Sequence, residues 1–339
     1  MKVLLTWYAD DDEIAMVRAA LSEDATVVAP PERPGLSRYE VSYDEVVAEA
    51  RDADVLMGWV LPPGVLEEAR RLKALIWLHA GCDELDFALL RERGVEVANV
   101  RGANGIAVAE QAMALMLALA KRVVSNHQRV LETRWQPFWT PDSRGAMLSG
   151  KTLAVIGLGR IGTAVARRSQ AFDMRVLGLR RNPERGGEHV EAVYGPGDLH
   201  DVLAQADFIV LATPLTPETL SFIDEAALAA IKPGAFLINI ARGNLVVERA
   251  LHEALTQGRL AGYASDVWWT YTNSFPATYH FPIPSRTGLH KLANVVASGD
   301  QASNVDRVLE RILEMGAESL AAFARGEAMP RAIDLELGY

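Results

Sequence analysis

The chain has a single cysteine, Cys82, in 339 residues. No internal disulfide can form, which fits a reducing cytoplasm. It also lacks an excess of positive charge: 34 Lys and Arg against 44 Asp and Glu leave a net charge of −10. That disfavours a nucleic-acid partner, which needs a basic face. Long hydrophobic runs are missing too. The longest, "AMALMLALA", covers nine residues, Ala112–Ala120, too few to cross a bilayer, and reads as a buried helix. The start, "MKVLLTWYADDDE", meets acids after a short apolar run, unlike a secretory leader. No cluster with metal-ligand spacing stands out, so no metal is expected. What remains is a soluble, cytoplasmic globular protein, 50% hydrophobic and 23% charged, long enough for two domains.

Short apolar strands alternate with amphipathic helical stretches. "KVLLTW", "TVVA", "VLMGW", "ALIWLHA" and "VEVANV" form one set. A long helix is predicted from Ile106 to about Leu131, followed by a loop rich in Pro and Gly. "TLAVIG", "MRVLGL", "DFIVLAT", "AFLINI", "AGYASDV" and "ANVVAS" form a second set, and a helical tail follows Asn304. This alternation predicts an α/β chain of two doubly wound parallel-sheet domains. A ligand cleft between them is expected.

"TLAVIGLGRIG" puts Gly157, Gly159 and Gly162 in G-x-G-x-x-G spacing, after a strand and at the opening of a helix. That context fits a dinucleotide site: the glycines permit a tight turn and close approach of a pyrophosphate, and the helix start supplies N–H groups. Gly157, Gly159, Arg160, Ile161 and Gly162 are the candidates in this turn. The following strand ends at Arg180, 23 residues beyond Gly157, with Arg181 and Asn182 after it. An acid near here would hold the ribose of NAD, whereas arginine suits the 2′-phosphate of NADP. A preference for NADP(H) over NAD(H) is expected; the competing reading is two solvated surface charges.

The order of motifs resembles the D-isomer-specific 2-hydroxyacid dehydrogenase family over nearly the whole chain. "LSGKTLAVIGLGRIG", "ADFIVLATPLTPETLSFIDEAALAAIKPGAFLINIARGNLVVERALHEAL", "GRLAGYASDVW", "HAGCDELD" and "AIDLELGY" carry the resemblance. It implies a flavodoxin-like substrate domain from residues 1–102 and 303–339, a Rossmann nucleotide domain from 103–302, and a homodimer built around the nucleotide domains. It also implies roles. Arg242 would grip a substrate carboxylate and polarise the reacting carbonyl, and the turn Ala80–Gly81–Cys82 would offer N–H groups to the same carboxylate. Asp266 would hold the nicotinamide amide. Thr213, Pro214, Leu215 and Thr219 would run along the cofactor, with Ala241 at its nicotinamide end. Cys82 itself reads as a packing residue.

The resemblance fails at the acid–base pair. The family uses a histidine assisted by a glutamate. Tyr271 stands where the glutamate is expected, and Ser298-Gly299-Asp300 where the histidine is expected. Three accounts stay open. Asp300 could be a working acid, which requires a carboxyl pKa raised by about 3 units, with Tyr271 helping. It could stay ionised and favour a cationic substrate, as in an imine or iminium reductase. Or catalysis is lost, the chain is an NADP(H)-binding sensor or scaffold, and Asp300 caps the following helix. His280 or His290 could also enter the site. Between the altered positions, Trp268, Trp269, Tyr271, Phe275, Tyr279 and Phe281 form an aromatic stretch, and Trp135, Phe138 and Trp139 form another. If they line the cleft, with Trp269 as a wall, the substrate is larger than glyoxylate; packing between domains or subunits is the alternative. The expected activity is an NADP-dependent oxidoreductase acting on a 2-oxoacid/2-hydroxyacid pair.

Overall fold

Parallel strands buried on both faces need apolar side chains at odd and even positions alike, and both strand sets have them. In the computed structural model, residues 1–33, 37–134, 140, 144–269 and 284–338 are described. They fall into two compact units, one of residues 1–104 and 304–338, the other of residues 105–269 and 284–303.

The first unit holds β1 (Lys2–Leu5), β2 (Thr26–Val28), β3 (Val55–Gly58), β4 (Ala74–Trp77) and β5 (Glu96–Asn99). All pair in parallel, in the order β2-β1-β3-β4-β5, the flavodoxin-like order. Val3, Leu5, Met57 and Ile76 enter the core on one face, and Leu4, Leu56, Leu75 and Trp77 on the other. The helix Val308–Ala324 covers the first of these faces. Its Gly316 lets the backbone approach closely, since a Cβ there would lie 2.6 Å from Leu78 Cδ2 and 2.7 Å from Met57 Cε.

The second unit holds β6 (Thr152–Ile156), β7 (Arg175–Leu179), β8 (Ala192–Tyr194), β9 (Phe208–Leu211), β10 (Phe236–Asn239), β11 (Gly262–Ser265) and β12 (Val295–Ala297). The order is β12-β11-β10-β9-β6-β7-β8, again all parallel. This is the Rossmann arrangement, with its topological switch between β6 and β9. The short edge strand β8, "AVY", carries too few apolar residues to stand out in the sequence.

One sequence expectation is corrected, and one of the open readings of Asp300 loses its helix. The long helix is two helices, Gly105–Ala120 and Val123–Leu131, broken at Arg122, whose φ is +57°. The Ala120 carbonyl accepts from Ala146 N–H at 2.8 Å, and a Cβ on Gly145 would lie 2.7 Å from that oxygen. The loop after the second helix docks on the end of the first and draws its last carbonyl out of the helical ladder. Nor does a helix follow Asp300, so that residue is no N-cap. Asp300 has φ +57°, and the helix of the tail begins at Val308. The left-handed conformation, which Asp tolerates better than most residues, turns the chain instead of starting a helix.

Candidate active site

Strand ends around the switch point bring the glycine loop and the 213–219 loop together. Gly157 follows β6 with φ +107°, and a Cβ there would lie 2.6 Å from the Ala212 carbonyl and 2.8 Å from Thr213 N. A Cβ on Gly162 would overlap the Gly157 carbonyl oxygen. Both glycines are needed for the chain to pack. Gly159 differs: nothing lies within 4 Å of its missing Cβ, and it is the N-cap of the helix Arg160–Gln170. An open backbone edge at a helix start, where N–H groups have no carbonyl one turn back, fits a pyrophosphate. Across the switch, Thr219 locks the neighbouring loop. Its Oγ1 accepts from Thr216 N–H at 2.8 Å and donates to Pro214 O at 2.8 Å.

At the end of β7, Arg180 is half-buried, and its guanidinium donates to Gly186 O at 2.7 Å. Arg181 and Asn182 are exposed, and Arg181 pairs with Glu218. Glu218 escaped sequence reasoning, because nothing in the pattern shows that its loop faces β7.

The ends of β10, β11 and β12 are laced together. Asn239, fully buried, donates to Arg242 O at 2.8 Å and accepts from Ala241 N–H at 3.1 Å. It thereby shapes the turn that carries Arg242, whose side chain is half-buried and donates to Ala241 O at 2.9 Å. Gly243 brings this turn against the next strand end, since a Cβ there would lie 2.7 Å from Trp269 N. The Trp268 indole donates to Ser298 O at 2.7 Å. Trp269 donates to Val246 O at 2.7 Å and packs its ring on Tyr263 and Trp268. That places Trp269 against the core of this unit. Tyr263, wholly buried there, has its phenol pushed up to about 12 by burial. His290 sets its ring edgewise on Trp268, centroids 6.2 Å apart.

Asp300 follows β12. Its N–H donates to Asp266 O at 2.9 Å. The Asp266 carboxylate, 2% exposed, accepts from Gln301 N–H at 3.2 Å, Ala302 N–H at 3.0 Å and Gln111 Nε2 at 3.4 Å. Gln111 Nε2 also donates to Ser298 Oγ at 2.9 Å. The Asp300 carboxyl is held above the usual carboxylate range. Loss of water around it is the main cause and the Asp266 charge adds to it, while the Arg242 guanidinium opposes both. The residue itself is exposed, with Asp266 and Arg242 on its protein side.

Arg242, Ala241, Asp266 and Asp300 therefore share one end of one sheet with the glycine loop. Tyr271, His280, Phe275, Tyr279, Phe281, Trp135, Phe138 and Trp139 lie outside the described residues. In the other unit, the turn Ala80–Gly81–Cys82 follows β4. Its carbonyls face inward: Ala80 O accepts from Asn99 Nδ2 at 2.8 Å, and Gly81 O from Trp77 Nε1 at 3.0 Å. Cys82 is buried, with its thiol 3.3 Å from Gly338 O.

Residues 113–299 match the family model described as D-isomer specific 2-hydroxyacid dehydrogenase, NAD binding domain. The chain belongs to this family. A glyoxylate reductase of Korarchaeum cryptofilum is 35% identical over 302 residues, covering 86% of each chain. Among solved structures, a D-lactate dehydrogenase from Aquifex aeolicus, complexed with NAD and lactic acid, is 26% identical with TM-score 0.75 and 96% of each chain covered. An acyclic imino acid reductase in complex with NADPH and D-Arg has TM-score 0.81 at 23% identity, covering 98% of this chain and all of that one, and so shares the fold. The protein is thus an oxidoreductase with a pyridine-nucleotide domain, acting on the CH–OH of 2-hydroxyacids. No described helix is long and apolar enough to cross a membrane.

Proposed function

We propose that this family member transfers hydride between NADPH and a 2-oxoacid/2-hydroxyacid pair, with Asp300 in place of the histidine. One observation carries the reading: Arg242 follows β10 and Asp300 follows β12 at the same end of one sheet, and backbone bonds from Asp266 N–H to Asn239 O and from Asp300 N–H to Asp266 O link the two strand ends. The glycine loop would hold the pyrophosphate of the cofactor, whose nicotinamide would supply the hydride near Ala241. Arg242 holds the substrate carboxylate by a charge-assisted fork. Asp300, kept protonated to higher pH than an ordinary carboxyl, gives its proton to the carbonyl oxygen. Arg180 and Arg181 bind the 2′-phosphate. Tyr271 is proposed as a hydrogen-bond partner of Asp300 on sequence grounds. A substrate larger than glyoxylate is proposed on sequence grounds from Tyr271, Phe275, Tyr279 and Phe281 alone, since Trp268 and Trp269 belong to the core of the unit.

A second reading is favoured by the charges. Asp266, Asp300 and Arg242 leave one negative charge in excess when both carboxyls are ionised. An oxoacid brings another, unless Asp300 holds a proton. A 2-iminoacid brings its own proton on nitrogen, setting its carboxylate on Arg242 and its iminium on Asp300, and so adds no net charge to the site.

A panel of 2-oxoacids, alone and with ammonium or primary amines, tested with NADPH, separates the two. For carbonyl reduction, the rate should fall as pH rises through the raised Asp300 pKa. For iminium reduction it should climb over the same range. Asp300→Asn and Arg242→Ala should each lower kcat/KM by about 10²-fold or more. Full activity in Asp300→Asn would sink both readings.

A further inference from the structure

The turn that carries Asp300 is held by a second aspartate on the neighbouring strand end. Asp266 engages three successive residues: its carbonyl takes the N–H of Asp300, and its two carboxylate oxygens take those of Gln301 and Ala302. These bonds satisfy the turn that Asp300 makes with φ +57°, a conformation that neighbouring contacts must stabilise. Gln111, from the helix Gly105–Ala120, reaches across to the same carboxylate and to Ser298 Oγ. One amide thus ties helix, β11 end and β12 end together at the base of Asp300.

We propose that Asp266, supported by Gln111, is a positioning residue for Asp300: it builds the turn that presents the carboxyl and supplies the fixed negative charge beside it. The inference rests on the assignment of Asp300 to the reaction. The charged groups acting on Asp300 are Asp266, which disfavours its ionisation, and Arg242, which favours it. Neutralising Asp266 while keeping its shape therefore makes Asp300 lose its proton at lower pH. This holds whether the reaction uses the protonated carboxyl or the ionised one.

The test is the pH profile of kcat for wild type, Asp266→Asn and Asp300→Asn with NADPH. The limb that Asp300→Asn removes should move to lower pH in Asp266→Asn, by about one unit. A purely structural residue would lower the plateau without moving the limb. If Asp300→Asn leaves the limb in place, the assignment of Asp300 is wrong. If Asp300→Asn removes it and Asp266→Asn leaves its midpoint unmoved, the positioning role is overturned. Should Asp266→Asn fail to fold, Gln111→Leu carries the test. It should lower kcat about tenfold through displacement of the turn, with the NADPH dissociation constant unchanged; an undiminished kcat overturns the proposal.

Discussion

In the proposed mechanism, proton delivery depends on which residue type stands at the end of β12. A histidine titrates near neutrality without help, whereas a carboxyl must be raised by its surroundings. Here those surroundings are identifiable: dehydration and Asp266 push one way and Arg242 the other. At the far end of the cofactor site the same logic concerns Arg180, anchored to Gly186 O and so already held in place for an anion. Arg180→Gln should weaken NADPH binding at least tenfold, the scale of one lost charge-assisted bond, and leave NADH binding within about twofold. Fluorescence titration with both nucleotides measures this; an equal loss for both would remove Arg180 from 2′-phosphate recognition. The arginines were legible in the sequence because their distance from the glycines is fixed by one strand and one helix. Asn239 and Gln111 were not, because their partners are distant in sequence and a lone amide in an apolar element gives no sign of what it bonds.

At the level of elements, the glycine loop shows that one motif contains two kinds of glycine. Gly162 is required by packing against Gly157, and Gly159 faces open space. Gly162→Ala should lower the melting temperature by several degrees, as overpacking of a tight contact does. Gly159→Ala should melt like wild type yet bind NADPH more weakly, because its methyl would occupy the pyrophosphate's approach. Thermal melts and nucleotide titration on both variants test this; equal melting losses would refute the distinction. The strands of both sheets except the short edge strand β8 could be read from apolar runs, since burial on both faces leaves an unbroken signature. The break at Arg122 could not, because the agent is the loop at Gly145–Ala146 taking the Ala120 carbonyl, a contact invisible to helical periodicity. Capping by Asp300 stayed open in the sequence for a similar reason: an acid before polar residues is compatible with a cap, and the pairing with Asp266 shows a turn.

For the whole molecule, the helix Val123–Leu131 has no buried residue. Val123, Val124, Val130 and Leu131, 45–64% exposed, lie on one face at spacings of one and seven residues. Such a stripe on a short helix calls for a partner, and a second copy of the chain is the proposed one. Val124→Glu combined with Leu131→Glu should shift the species measured by light scattering from two chains to one; an unchanged mass would exclude this face. The division of the chain has a consequence for its synthesis. The helix that covers one face of β1, β3 and β4 comes from residues 308–324, and Ile333 N–H bonds Val97 O at 2.8 Å. On the ribosome, the first hundred residues emerge with that face bare and wait while the whole nucleotide unit is made. The inner unit can finish first; the outer one closes only as translation ends. Chains ending after residue 303 and released from the ribosome should therefore show protease resistance in the nucleotide unit and cleavage within residues 1–104, and protection of both stretches would contradict that order.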